Sequence, residues 1–209
     1  MLPFALICGL ACAVLLVSER RNVRAGVWLA KPVAAAAFVA AGLLAGIPET
    51  LHGRLVVLGL CLSWWGDVLL IPRERPQLFL AGITSFLLAH VAYGAAFVSL
   101  GLPVSPVLVG GALAALAALG VLRWLSPHLH DFFRHAVPVY IAVIAVMLAL
   151  SVGAGSATGQ PVHFIAALGF AISDVSVARD RFVAPGFVNA AWGLPLYFAS
   201  QLAFASSVT

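Results

Sequence analysis

Residues 54–75 read RLVVLGLCLSWWGDVLLIPRER: an apolar run, a single acid, a proline and then a charged triplet. The run approaches the roughly 20 apolar residues that a helix needs to cross the hydrocarbon core of a bilayer. Asp67 sits inside it, and Arg73-Glu74-Arg75 follows Pro72. An amphipathic helix of a soluble protein spreads polar residues along one face at every turn. Here the charges are gathered behind the apolar stretch, where a spanning helix would meet the membrane surface. Strand-like alternation is absent, and in lipid the backbone hydrogen bonds must close within each segment, which favours helices.

The same pattern repeats on both sides of this stretch. Apolar spans are expected at about 2–18, 27–47, 54–71, 78–100, 104–122, 136–153, 161–179 and 183–206. Pro48-Glu49-Thr50, Pro72, Leu102-Pro103 and Pro106 mark breaks, and Gly153 to Pro161 reads as an uncharged flexible turn. The chain of 209 residues is 63% hydrophobic and 9% charged, with a mean hydropathy of +1.11. A soluble domain is about half apolar and a quarter charged. The sequence therefore predicts an all-α integral membrane protein of eight transmembrane helices, a single domain over 1–209 with no separate soluble domain.

Other classes are disfavoured. The net charge of +4 comes with no basic run and no interleaving of basic and aromatic residues, so nucleic acid is not a partner. Residues 2–17 are short and apolar like a signal peptide, but no positive charge precedes them, and Ser18-Glu19-Arg20 follows in place of a cleavage site; they read as a retained first helix. Cys8, Cys12 and Cys61 fall in apolar stretches and read as packing residues, without a disulfide framework. GxSxG, HExxH and P-loop signatures are missing.

Arg20, Arg21, Arg24, Arg73, Arg75, Arg123, Arg134, Arg179 and Arg181 fall in the odd-numbered loops, and the even loops hold only Arg54. Basic residues stay on the cytoplasmic side, so the odd loops are expected inside and both termini outside. Much Ala, Val, Leu and Gly with a single Lys suggests a bacterial inner membrane. The halves also look alike. Gly66-Asp67-Val68 precedes Arg73-Glu74-Arg75, and Ser173-Asp174-Val175 precedes Arg179-Asp180-Arg181. At the same spacing His90 matches Tyr197, and Pro32 roughly matches Pro138. Two parallel four-helix repeats, 1–100 and 104–209, would explain this; chance or a shared topology rule would explain the arginine loops alone.

Few residues inside the spans can ionise: Lys31, Asp67, His90, Asp174 and, at an outer end, His163. Such residues are costly in lipid and usually face a cavity or one another. Asp67 and Asp174 lie at similar depth, about 7 Å inside the cytoplasmic end, with Lys31 and Tyr140 in the same layer. His90, Tyr93, Tyr197 and Gln201 are expected deeper. Together these residues outline a polar-floored cavity opening to the cytoplasmic leaflet. Two carboxylates in such a place do not both ionise easily, which suits one as acid and the other as base. Asp67 and Asp174 could instead be structural, paired with Lys31, Arg73 or Arg179. His90 could be a packing histidine, and Tyr140 and Tyr197 packing aromatics. His128, His130 and His135 with Asp131 read as a solvated loop, and Gly42 with Gly46 as a helix-packing GxxxG.

Taken in order, Lys31-Pro32, Gly66-Asp67, Ser85-Phe86 with His90 and Tyr93, Tyr140, Phe170 with Ser173-Asp174, and Tyr197 with Gln201 resemble the YhhN-like lysoplasmalogenase family from the second helix onward. The resemblance implies an eight-helix membrane enzyme that hydrolyses the vinyl-ether bond of lysoplasmalogens to a fatty aldehyde and a glycerophospho head group. Asp67 and Asp174 match the family's intramembrane acids. The expectation is then catalysis by Asp67 and Asp174, Asp174 favoured as the acid, with His90. Lys31, Tyr93, Tyr140, Ser173, Tyr197 and Gln201 would hold substrate and water, and no metal or cofactor is called for. A small-molecule or lipid transporter with a midplane polar site is the alternative.

Overall fold

A computed structural model describes residues 1–44, 49–72 and 74–208. The expected positions Gly46, Pro48 and Arg73 lie outside the described residues. The described residues form eight α-helices: α1 (Leu2–Arg20), α2 (Arg24–Leu44), α3 (Leu51–Leu69), α4 (Pro76–Val98), α5 (Val104–Leu125), α6 (Phe133–Thr158), α7 (Val162–Ala178) and α8 (Phe187–Ser206). A 3-10 turn, Ser126–His128, follows α5, and a π turn, Arg179–Val183, follows α7. Strands are absent among the described residues.

Local chemistry sets the ends. Thr50 caps α3 by accepting a hydrogen bond from the Gly53 N–H at 3.0 Å. Gly159 ends α6 in the left-handed region at φ 71°, where a side chain would be strained. The stretch from Gly153 to Pro161 is therefore not a flexible turn throughout: α6 continues to Thr158, and Gly153 is buried against Leu102 and Val107. The π turn delays α8 to Phe187, later than the sequence suggests.

Six helices, all but α3 and α8, are long and apolar enough to cross a membrane. The other two carry buried polar residues, His52, Ser63 and Asp67 on α3 and Asn189, Tyr197 and Gln201 on α8. Their outer faces are still apolar, with Leu58 and Trp65 of α3 and Val188 of α8 exposed. Large apolar side chains point away from the bundle, with Leu10 and Leu29 each 70% exposed and Leu116 68%. So extensive an apolar exterior belongs in lipid, and the chain is a multi-pass membrane protein.

α2, α3, α4, α6, α7 and α8 form a closed ring in which each packs on the next and α8 returns to α2. α1 leans on α2 and α8 from outside, and α5 leans chiefly on α6. Small residues let the helices approach. Gly59 receives the Tyr93 ring, Gly66 the Phe86 ring and Gly42 the Leu60 side chain. The ring thereby encloses the polar residues of α2, α3, α6 and α7.

Candidate active site

Asp67 is held near the end of α3 and is 2% exposed. Each carboxylate oxygen has its own donor. Lys31 Nζ lies 3.2 Å from Oδ1, and the Tyr197 hydroxyl donates to Oδ2 at 2.6 Å. Lys31 stands beside Pro32, whose carbonyl accepts a hydrogen bond from Trp64 Nε1 at 3.2 Å, tying α2 to α3. Arg179 donates to Asn189 Oδ1 at 2.6 Å and so is not the partner of Asp174.

Asp174 has a different pair of neighbours. The Tyr140 hydroxyl donates to its Oδ2 at 3.0 Å, and His90 Nε2 lies 3.4 Å from the same oxygen. The latter is an ion-pair distance without hydrogen-bond geometry. His90 Nδ1 is 2.7 Å from the Phe86 carbonyl oxygen. A carbonyl can only accept, so Nδ1 carries hydrogen and Nε2 is the atom turned to Asp174. Stacking on Phe170, at 4.1 Å between centroids and 14° between planes, fixes the ring.

The depth order differs from expectation. Tyr197 and His90 are not a deeper layer but reach the carboxylates. In a helix each Cα–Cβ bond tilts toward the N-terminus. α3 and α7 end at the odd-loop side, whereas α4 and α8 begin there, so the acids and their partners lean toward one another. Tyr93 and Gln201 do form a separate pair, with the Tyr93 hydroxyl donating to Gln201 Oε1 at 2.6 Å. Tyr93 also stacks on Phe204 at 3.7 Å.

A cavity of about 980 Å³ lies against this layer, lined by Lys31, Asp67, Tyr140, Ser173, Asp174 and Tyr197. The volume is at the upper end for small-molecule sites. His90, Tyr93 and Gln201 do not line it; His90 meets Asp174 from behind the wall. The Ser173 hydroxyl donates to the Phe170 carbonyl of its own helix at 2.7 Å. The cavity reaches the odd-loop end, where Phe79, Phe133, Asp180 and Arg181 form its rim. Ile83 and Leu87 of α4 and Ala114 and Ala118 of α5 give it an apolar flank. Two carboxyl groups thus face one cavity with an apolar flank, the first answered by an ammonium and a phenol, the second by a phenol and an imidazole.

The sequence reading missed the rim. Asn189 is 2% exposed and bonds Arg179, Asp180 and the Ala184 and Gly186 carbonyls, bracing the turn between α7 and α8. A lone Asn near the start of an apolar span was the available signal. His128, His130 and Asp131 are exposed, and His135 reaches the rim.

The family model described as the YhhN family matches residues 26–208. The chain belongs to the YhhN family. Several curated proteins are similar to this YhhN chain. Lysoplasmalogenase TMEM86A of Bos taurus is 30% identical over 159 residues, covering 73% of this chain and 64% of that protein. A protein named lysoplasmalogenase from Mycobacterium tuberculosis is 31% identical over 152 residues, covering 70% and 56% respectively. Lysoplasmalogenase TMEM86B of Sus scrofa is 32% identical over 166 residues, covering 78% and 65%. The chain thus spans less than two thirds of the length of these relatives. No solved structure matches it significantly. The segment matched as YhhN takes in the whole site, from Lys31 to Gln201.

Proposed function

We propose that this protein hydrolyses the vinyl-ether bond of lysoplasmalogens, with Asp174 as proton donor and Asp67 as the carboxylate that stabilises positive charge. The observation that carries the reading is the unequal partnering of two acids on one cavity, in a chain whose relatives are named lysoplasmalogenases. Asp67 faces an ammonium and a phenol, which favour the anion. Asp174 and His90 Nε2 can share one proton, which the vinyl ether requires.

Protonation of the vinyl carbon remote from oxygen, by Asp174, gives an oxocarbenium ion on the carbon bonded to oxygen. Asp67 stabilises that ion and takes a proton from the attacking water. The resulting hemiacetal breaks its bond to the glycerol oxygen, releasing a fatty aldehyde and the glycerophospho alcohol. The proton that Asp67 took from water passes through cavity water back to Asp174, whose Oδ2 faces His90 Nε2, so both carboxyl groups are restored for the next turnover. Ser173, Tyr140 and Tyr197 shape the wall, while Tyr93 and Gln201 support it from behind. The apolar flank between α4 and α5 admits the chain sideways from the bilayer.

The same reading takes all eight helices as spans, in two parallel four-helix halves, with the odd loops cytoplasmic in a bacterial inner membrane. The packing supports duplication. α1–α2, α2–α3 and α3–α4 recur as α5–α6, α6–α7 and α7–α8, and α4–α6 is matched by α8–α2. Each aspartate takes one partner from the helix before it and one from the last helix of the other half: Lys31 and Tyr197 for Asp67, Tyr140 and His90 for Asp174.

The test is aldehyde release from lysoplasmenylcholine and lysoplasmenylethanolamine by the detergent-purified protein, beside Asp67→Asn and Asp174→Asn. Release by the parent protein and a loss of at least a hundredfold in each variant is expected. Full turnover by the folded double variant would sink the mechanism, and no release by the parent protein would remove the activity.

A further inference from the structure

We propose that Arg181, on the π turn after α7, binds the phosphodiester of the substrate at the cavity rim; this rests on the lysoplasmalogen reading above. A lysolipid brings one phosphate, and the cavity offers it few cations. Lys31 lines the floor but lies 3.2 Å from Asp67 and is 12% exposed, so its charge is already answered. Arg181 also lines the cavity, is exposed, and has no carboxylate partner among the described residues. Its guanidinium lies over the Phe79 ring, 4.3 Å from the centroid. A stacked guanidinium is steadied by the ring while its N–H edge stays available for two phosphate oxygens.

The turn around Arg181 is built so that its neighbours do not compete. Asp180 Oδ1 accepts from the Gly186 N–H at 2.9 Å and from Asn189 Nδ2 at 2.9 Å. Arg179 is bonded to the same Asn189, and the Ala184 N–H closes the π turn on the Arg179 carbonyl at 2.8 Å. π turns often mark functional sites because they re-aim side chains within a helix. Of the two arginines in Arg179-Asp180-Arg181, Arg181 is the one that lines the cavity.

The reach also fits. Arg181 follows Asp174 by seven residues, about 10 Å along the axis. Both side chains line the same cavity, Asp174 inside and Arg181 at the rim. The glycerol between the vinyl-ether oxygen and the phosphate bridges what remains. With Arg181 at the rim and Asp174 inside, the head group stays at the surface where lipid phosphates lie.

The test pairs substrate with variant. The parent protein, Arg181→Ala and Arg181→Lys are each assayed on 1-alkenyl-glycerophosphocholine and on 1-alkenylglycerol, which lacks the phosphate. The parent protein is expected to prefer the phosphate-bearing lipid. Arg181→Ala is expected to lose roughly tenfold to a hundredfold in kcat/KM on that lipid, through KM, and nothing on 1-alkenylglycerol. Arg181→Lys, which keeps the charge without the fork, should fall between. An unchanged preference in Arg181→Ala, or equal loss on both lipids, overturns the proposal. Binding of the non-hydrolysable 1-alkyl analogues separates it from the activity. If no aldehyde is released, the activity reading falls, while phosphate-dependent binding lost in Arg181→Ala still supports the site. Inorganic phosphate competing as strongly as the lipid would overturn the head-group assignment in favour of free phosphate.

Discussion

Lys31 and Asp67 form a buried pair whose two roles can be separated at the level of single residues. Removing one partner of such a pair leaves a charge without an answer, at a cost of about 3–5 kcal/mol. Lys31→Met is therefore expected to lower the thermal midpoint of the solubilised protein sharply, because Asp67, 2% exposed, keeps only the Tyr197 hydroxyl. Lys31→Met combined with Asp67→Asn removes both charges and should recover most of that stability without recovering aldehyde release. Recovery of both would make the pair structural alone. Asp174 calls for a milder change. Tyr140→Phe removes one donor at 3.0 Å and leaves His90 in place. A loss of a few-fold in kcat with little change in midpoint is expected, whereas an unfolded variant would assign Tyr140 to packing.

Between helices, the contacts that matter are close approaches. A Cβ at Gly59 would clash with the edge of the Tyr93 ring, which is itself fixed by Phe204 and Gln201. Gly59→Val should therefore destabilise the α3–α4 pair by about 1–3 kcal/mol, read as a lower thermal midpoint, since an overpacked core must shift backbone or rotamers. An unchanged midpoint would mean that the helices separate without cost. Such elements differ in how plainly the sequence announces them. Asp67 and Asp174 stand out because an acid inside an apolar run has no solvent to face, so their helices and shared layer can be read directly. The partnering is harder to read. That Tyr197 meets Asp67 and His90 meets Asp174 depends on helix direction and Cβ tilt, which need the packed bundle. The rim was hidden further. Nothing in Arg179-Asp180-Arg181 marks which charge is spent within the turn until Asn189 is seen bonded to the first two. The extension of α6 to Thr158 was missed because glycines suggest a break, while here buried Gly153 serves packing.

For the whole molecule, the decisive helices are α3 and α8, because their polar content sets them apart from the six plainly apolar ones. If both cross the bilayer, the chain has eight spans, the odd loops share a side, and the two halves superpose in parallel. If either does not, the parity of every later loop changes and the crosswise pairing of the acids is no longer a product of duplication. Single cysteines placed across each helix decide the matter, in a background where Cys8, Cys12 and Cys61 are replaced by alanine. Glu49→Cys and Arg75→Cys flank α3, and Pro185→Cys and Ser206→Cys flank α8; all four positions are exposed. On intact cells a membrane-impermeant maleimide is expected to label Glu49→Cys and Ser206→Cys. Arg75→Cys and Pro185→Cys should label only after permeabilisation, which would set the cavity rim and Arg181 on the cytoplasmic side. The opposite pattern would invert the protein while keeping its eight spans, and would place substrate entry in the outer leaflet. Equal labelling of the two flanks of either helix would mean that this helix does not cross, and the eight-span, two-half architecture would fall with it.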